Sequence, residues 1–199
     1  MAMTTPDERR DALARARAHA PFLARLAADW PDDVACFLRN GADAALAALQ
    51  QDQGRRDDAD MARSLRQWRG RHALLTALGD LAGEHDVATT CGHLSDFADR
   101  ACDLALATAI QERMPDAALQ GIAIVALGKH GSRELNYSSD IDPILIFDPA
   151  TFPHRSRDDP AEAAVRVARR MVELLSARTA DGHVLRVDLR LRPHPEVTP

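Results

Sequence analysis

Aromatic side chains are scarce in this sequence: Phe, Trp and Tyr make up 4% of it, although 46% of the residues are hydrophobic. A core must therefore be assembled from Ala, Leu, Val and Ile, and a chain so rich in Ala and Leu favours helices. Cysteine is also sparse. Cys36, Cys91 and Cys102 are odd in number and show neither C-x-x-C nor zinc-finger spacing, which points to reduced, buried thiols rather than a disulfide framework. The eight histidines are scattered. Their nearest approach to a cluster, His85 and His93 with Cys91, lacks a fourth ligand, so zinc is set aside.

Positive charge is not in excess either. Asp and Glu number 30 against 25 for Lys and Arg, with both signs interleaved, and this excludes the electrostatic footprint of a nucleic-acid or anionic-membrane binder. No stretch approaches the ~18 uninterrupted apolar residues of a membrane span, and residues 1–10 lack the apolar core of a signal peptide. The expectation is a cytoplasmic protein. Lysine is nearly missing: Lys129 is the only one, the other cations being arginine. A length of 199 residues fits one well-buried domain or two small ones, since domains commonly run to roughly 100–200 residues.

What is present begins with helices. Residues 7–113 carry a helical pattern broken at Pro21, at Trp30-Pro31, at Gly41 and across the polar stretch 51–60. A helix over 60–81 places Met61, Leu65, Trp68, His72, Leu75 and Leu78 or Leu81 on one stripe. A second, over 87–113, repeats the device with Leu94, Phe97, Ala101, Leu104 or Ala105 and Thr108. The two are expected to pack as an antiparallel pair joined near Gly83. Residues 1–115 thus read as a helical segment without chemistry of its own.

After Pro115 the texture changes. Gly121-Ile122-Ala123-Ile124-Val125-Ala126-Leu127 and Ile144-Leu145-Ile146-Phe147 are short apolar runs suited to buried strands. A helix is expected over 160–177, with Val165, Ala168, Val172 and Leu175 at helical spacing. An Asp181-Gly182 turn then feeds a third strand over 184–191. That strand would place Leu185, Val187, Leu189 and Leu191 on its core face and Arg186, Asp188, Arg190 and Arg192 on its charged face.

Between the first two strands, a turn through Gly128 and Gly131 opening a short helix at Ser132 would leave backbone N–H groups free for a phosphate. Lys129 is a further phosphate contact in that turn. Asp140 and Asp142 lie two apart, so in a strand both carboxylates share a face while Ile141 turns to the core. Hard oxygen donors suit Mg²⁺, or Mn²⁺, rather than Zn²⁺. With Asp188 as a third acid and Arg186, Arg190 and Arg192 to neutralise phosphate, the constellation is what two-metal nucleotidyl transfer needs, with ions about 3.5–4 Å apart.

The run Ala126-Leu127-Gly128-Lys129-His130-Gly131-Ser132-Arg133-Glu134-Leu135-Asn136-Tyr137-Ser138-Ser139-Asp140-Ile141-Asp142 closely resembles the signature of the bifunctional glutamine synthetase adenylyltransferase/adenylyl-removing enzymes. Arg186-Val187-Asp188-Leu189-Arg190-Leu191-Arg192-Pro193 resembles their second signature. The resemblance implies an α+β architecture: a helical N-terminal segment, then a polymerase-β-like nucleotidyltransferase mixed sheet over 116–199. It implies Asp140, Asp142 and Asp188 as catalytic metal ligands. Gly128, Lys129, Gly131, Ser132, Ser139, Arg190 and Arg192 would hold the nucleotide and phosphate. It further implies glutamine synthetase, a PII signalling protein, adenine nucleotide and phosphate as partners.

Because the motif arrives about 120 residues from an initiating Met, the chain is similar to the N-terminal, adenylyl-removing half, which releases AMP from a tyrosine by phosphorolysis. Three departures stand out. Pro143 follows Asp142 where an aliphatic residue is usual, His130-Gly131-Ser132 replaces an aliphatic residue and two glycines, and the sequence stops soon after Pro193. The catalytic core is therefore expected to be truncated. Two alternatives stay open: a stand-alone small-molecule nucleotidyltransferase, and a degenerate, non-catalytic fragment whose helices bind a partner.

Overall fold

A computed structural model describes residues 4–53 and 60–189. Among these the order is α1 (Pro6–His19), α2 (Pro21–Asp29), α3 (Pro31–Asn40), α4 (Ala42–Gln53), α5 (Met61–Ala82), α6 (Val87–Gln111), β1 (Ile122–Leu127), α7 (Gly128–Gly131), β2 (Asp142–Phe147) and α8 (Pro160–Ser176). The class is α+β. None of the helices is long and apolar enough to cross a membrane. The chain groups into two compact units, Met1–Ala59 with Arg66–Phe97 and Asp60–Leu65 with Ala98–Pro199.

In the first unit the expected breaks are helix boundaries with identifiable causes. Thr5 caps α1 in a reciprocal box with Glu8, and α2 and α3 each begin on a proline, whose missing N–H costs nothing at that position. Gly41, at φ 90°, separates α3 from α4. The chain reverses after α5 at Gly83, at φ 74°, and Trp68 and His72 then meet Phe97 with ring centroids 4.6 and 5.1 Å apart. The paired helices are thus as expected, but α5 buries a broader face than one stripe. Leu74, Thr76 and Ala77 are buried beside Leu65, Trp68, His72, Leu75 and Leu78.

In the second unit the buried side of α6 is built from small residues: Ala98, Ala101, Ala105 and Ala109 have no exposed surface. Helix α8 is capped by Asp159, whose carboxylate accepts the Glu162 N–H. Its buried stripe is Ala163, Ala164, Val167, Met171, Leu174 and Leu175, so the expected Val165–Ala168–Val172 line is out of phase and those three are only half-buried. Arg170 pairs with Glu112 through two bonds of 2.7 and 2.8 Å.

Strands β1 and β2 pair antiparallel, from Ile122 opposite Phe147 to Leu127 opposite Asp142. Of the expected third strand over 184–191, the described residues 184–189 contribute an isolated bridge rather than a strand. Val184 and Leu185 both donate to the Leu175 carbonyl, at 3.0 and 2.9 Å, which holds them at the end of α8. Only Val187 bridges to Ile141, in parallel. Val184 rather than Leu189 is buried, Leu189 being 36% exposed, and Leu191 lies outside the described residues.

Pro143 removes one donor from the edge of β2 that carries this bridge. Ile141 N–H donates to the Arg186 carbonyl, and the residue two further along presents its nitrogen to the same edge. There proline has no proton to give. The pairing of β2 with β1 loses nothing by it, so the proline is accommodated at an edge.

The three cysteines are free; Cys102 is buried, while Cys36 and Cys91 are half-buried, which corrects the expectation of three buried thiols. Burial, with Asp103 and Asp99 nearby, pushes the Cys102 thiol up to about 12.

The first unit also contains a nearly buried charge cluster. Arg71 donates to both carboxylate oxygens of Asp33 at 2.7 Å and to Asp52 at 2.7 Å, and its guanidinium lies 4.8 Å from the Trp30 ring centre. Burial alone would lower its pKa, but the bonds to Asp33 and Asp52 outweigh this and hold it above the ordinary value. Asp33→Ala should cost about 3 kcal/mol in urea unfolding, near the low end for breaking a buried pair because Asp52 remains. Asp52→Ala, at a half-exposed partner, should cost under about 1 kcal/mol. Equal effects would show that the fork to Asp33 carries no special weight.

Candidate active site

The site grows from the end of β1. Gly128 follows Leu127 at φ 56°, a left-handed conformation that a side chain disfavours. A Cβ there would stand 2.7 Å from Asp142 Oδ2, so the carboxylate of Asp142 is seated directly over the Gly128 backbone. One short helical turn follows, and at Gly131 an added Cβ would meet the Ala126 carbonyl at 2.5 Å. Gly131 is required by this close approach to backbone, and Gly128 by its left-handed φ.

Ser132 closes this turn instead of opening a helix. Its single O–H has three acceptors within reach, the carbonyls of Gly128 and Lys129 at 3.2 and 3.4 Å and Glu134 Oε2 at 3.1 Å. The expected helix start at Ser132 is thereby corrected: the helical residues are 128–131, and Arg133 turns the chain away at φ 60°. Lys129 is exposed on this turn. His130 points inward, is 4% exposed, and contacts Asp99 of α6 through Nε2 at 2.7 Å. Arg133 reaches the other oxygen of Asp99 at 3.3 Å. Sequence reading missed Asp99: it lies 31 residues before its partner, on a helix assigned no chemistry.

Beyond the turn, Leu135 is buried and the chain closes on itself. Asn136 N–H donates to Ser139 Oγ at 3.1 Å, Ser138 N–H to Asn136 Oδ1 at 3.0 Å, and Ser139 N–H to the Asn136 carbonyl at 3.2 Å. The Ser139 hydroxyl is therefore part of the loop's own bonding. Asp140, Ile141 and Asp142 come next, with Ile141 fully buried, which leaves both carboxylates on the opposite face.

The parallel bridge brings in the third acid. Ile141 N–H donates to the Arg186 carbonyl and Asp188 N–H to the Ile141 carbonyl, both at 2.9 Å. With Ile141 opposite Val187, the flanking pairs are Asp140 beside Arg186 and Asp142 beside Asp188, all four on one face. Arg186 pairs with Asp140 and donates to the Ser138 carbonyl. Arg190 and Arg192 lie outside the described residues.

Among the described residues, the group of three ligating side chains whose donor atoms lie within 4.8 Å of one another is Asp43, His85 and His93. Asp140, Asp142 and Asp188 are spread more widely, Asp140 being drawn to Arg186. The histidine group corrects the sequence reading, which matched His85 and His93 with Cys91. The third member comes from the start of α4.

Gly128→Ala should lower stability by about 1–2 kcal/mol through the left-handed backbone alone, and should also push the Asp142 carboxylate from its seat. The expected signature is a modest loss of melting temperature with a much larger loss of divalent-metal affinity. Unchanged metal affinity would detach Gly128 from the site.

Comparison with known proteins shows which family the sequence matches. The family model described as glutamate-ammonia ligase adenylyltransferase matches residues 11–199. A bifunctional glutamine synthetase adenylyltransferase/adenylyl-removing enzyme of Xanthobacter autotrophicus is 39% identical over 194 residues, covering 90% of this chain and 20% of the relative. Those of Caulobacter vibrioides and Rhizobium meliloti are 40% and 34% identical, covering 78% and 96% of this chain and 17% and 21% of theirs. The chain spans about a fifth of the length of these curated relatives.

Proposed function

The chain belongs to the glutamate-ammonia ligase adenylyltransferase family, and we propose that it forms the metal-dependent nucleotidyl-transfer site of the adenylyl-removing half. The observation that carries this reading is the alignment of Asp140, Asp142 and Asp188 on one face across the Ile141–Val187 bridge. Three carboxylates without a thiol or imidazole among them fit Mg²⁺, or Mn²⁺ in its place. The bound ion would neutralise charge on the phosphates during transfer.

The chain's own residues supply position. Gly128 lets Asp142 rest against the backbone, Asp99 ties down the turn that carries Lys129, and Arg186 orients Asp140. Lys129, exposed beside the acids' end of β1, offers a cation to phosphate oxygens, as do Arg190 and Arg192 in this proposal. In the reaction, an oxygen of inorganic phosphate forms a bond to the phosphorus of tyrosine-linked AMP. The bond from that phosphorus to the tyrosine oxygen breaks, the phenolate takes up a proton, and ADP leaves. Glutamine synthetase is the proposed carrier of the modified tyrosine, and a PII protein the proposed regulator.

The test is incubation with adenylylated glutamine synthetase, Mg²⁺ and labelled phosphate, with labelled ADP as the readout. Asp140→Asn, Asp142→Asn and Asp188→Asn should each keep the fold and weaken Mg²⁺-dependent ADP binding by roughly 10–100-fold, the scale of losing a metal-site partner. Wild-type metal dependence in all three variants would overturn the assignment. Free AMP in place of ADP would indicate hydrolysis and overturn the phosphorolytic step.

A further inference from the structure

In the first unit we infer that Asp43, His85 and His93 form a binding site for a divalent transition-metal ion, of which Zn²⁺ is the natural probe, separate in chemistry from the carboxylate site. Both imidazole Nε2 atoms converge on one oxygen, Asp43 Oδ1, at 2.9 Å from His85 and 3.3 Å from His93. Ligands held at the usual zinc distances in a tetrahedron stand about 3.3 Å from one another, so this spacing already matches that of donors sharing an ion.

Hydrogen bonding alone accounts poorly for the arrangement. His85 Nε2 bonds to Asp43, but His93 Nε2, although 3.3 Å from the same oxygen, is out of alignment and is buried without a hydrogen-bond partner. A buried, unsatisfied imidazole nitrogen is costly, and a metal bond would satisfy it. The rings lie 4.6 Å apart, tilted by 46°, as two imidazoles directing nitrogens toward a common point.

The surroundings preserve this geometry. The His85 side chain is 1% exposed and lies against Gly79, where a Cβ would approach its ring to 2.5 Å. Glu84, next in the chain, accepts the Ala42 N–H at 2.6 Å, so the turn after α5 is fastened to the start of α4 on either side of the cluster. The Asp43 side chain is 79% exposed, which leaves the remaining coordination position open to water. Two imidazoles and one carboxylate suit Zn²⁺ or Fe²⁺ and disfavour Mg²⁺. The ion would act as a clip between α4 and the α5–α6 turn.

The test uses the 199-residue chain, first stripped by chelator, then titrated with Zn²⁺ by calorimetry and followed by thermal melting. One equivalent should bind and raise the melting temperature. Binding should persist in an Asp140→Asn/Asp142→Asn double variant and fall by roughly tenfold or more in His93→Gln and in Asp43→Asn. Both of these positions reach solvent, so the variants should fold, whereas a buried His85 variant is less informative. Visible absorption of the Co²⁺ form should report imidazole-rich coordination, lost in His93→Gln. Absence of zinc uptake, uptake unaffected by His93→Gln and Asp43→Asn, or uptake abolished by the double variant would each overturn the site.

Discussion

Two backbone hydrogen bonds, from Ile141 N–H to the Arg186 carbonyl and from Asp188 N–H to the Ile141 carbonyl, fix the chemistry of the second unit. Each contributes only about 1 kcal/mol net to stability, but together they set a register, and a slip of one residue would turn every side chain to the opposite face. In this register Ile141 is buried and Asp142 stands beside Asp188. The three acids come from positions 48 residues apart at the extremes, yet their common orientation needs only that one bridge. Pro143 removes the next donor on that edge of β2, and among the described residues Asp188 is held beside Asp142 through that bridge.

The same register shows why the sequence motif is long and contiguous. Asp142 lies opposite Leu127, and Gly128 begins immediately afterwards, so the carboxylate and the glycine meet only if the intervening residues form a closed excursion. Ser132, Asn136 and Ser139 close it with their own hydrogen bonds, Leu135 anchors it by burial, and His130 fastens it to Asp99. His130 thus occupies a buried, inward position and adds a polar tether there. Arg186 supplies the remaining constraint: as a cation beside Asp140 it offsets repulsion within the acidic face. A metal would have to share or displace that pairing.

Much of this was legible from period and spacing. Helices α5 and α6, strands β1 and β2, and the shared face of Asp140 and Asp142 follow from local pattern, where chain geometry alone relates neighbours. The failures occur where a distant partner decides. Val184 and Leu185 alternate like strand residues, but the Leu175 carbonyl captures both N–H groups. The α8 stripe shifted phase because Ala163 and Ala164, which carry little hydrophobic signal, take buried positions. A helix start is expected at Ser132, yet the left-handed Gly128 already begins the turn. Asp43 could not be associated with His85 from sequence, because 42 residues separate them and an Asp in the first turn of a helix is ordinary.

The scarcity of aromatic residues bears on the first unit in a further way. Ala and Leu provide burial but few distinctive shapes, and a core of uniform small side chains specifies one helix arrangement less sharply than a core of varied ones. Directional contacts in this unit, polar or aromatic, include the Arg71 fork to Asp33, the Trp68–Phe97 contact, the Glu84 cap on Ala42, and the convergence of His85 and His93 on Asp43. Each joins elements distant in sequence and tolerates little rotation or sliding of either helix. Geometry of this kind restricts the packing that apolar burial alone leaves degenerate. A metal at Asp43 would extend the same principle, replacing a misaligned contact with bonds of fixed length and direction at the point where α4 meets the α5–α6 turn.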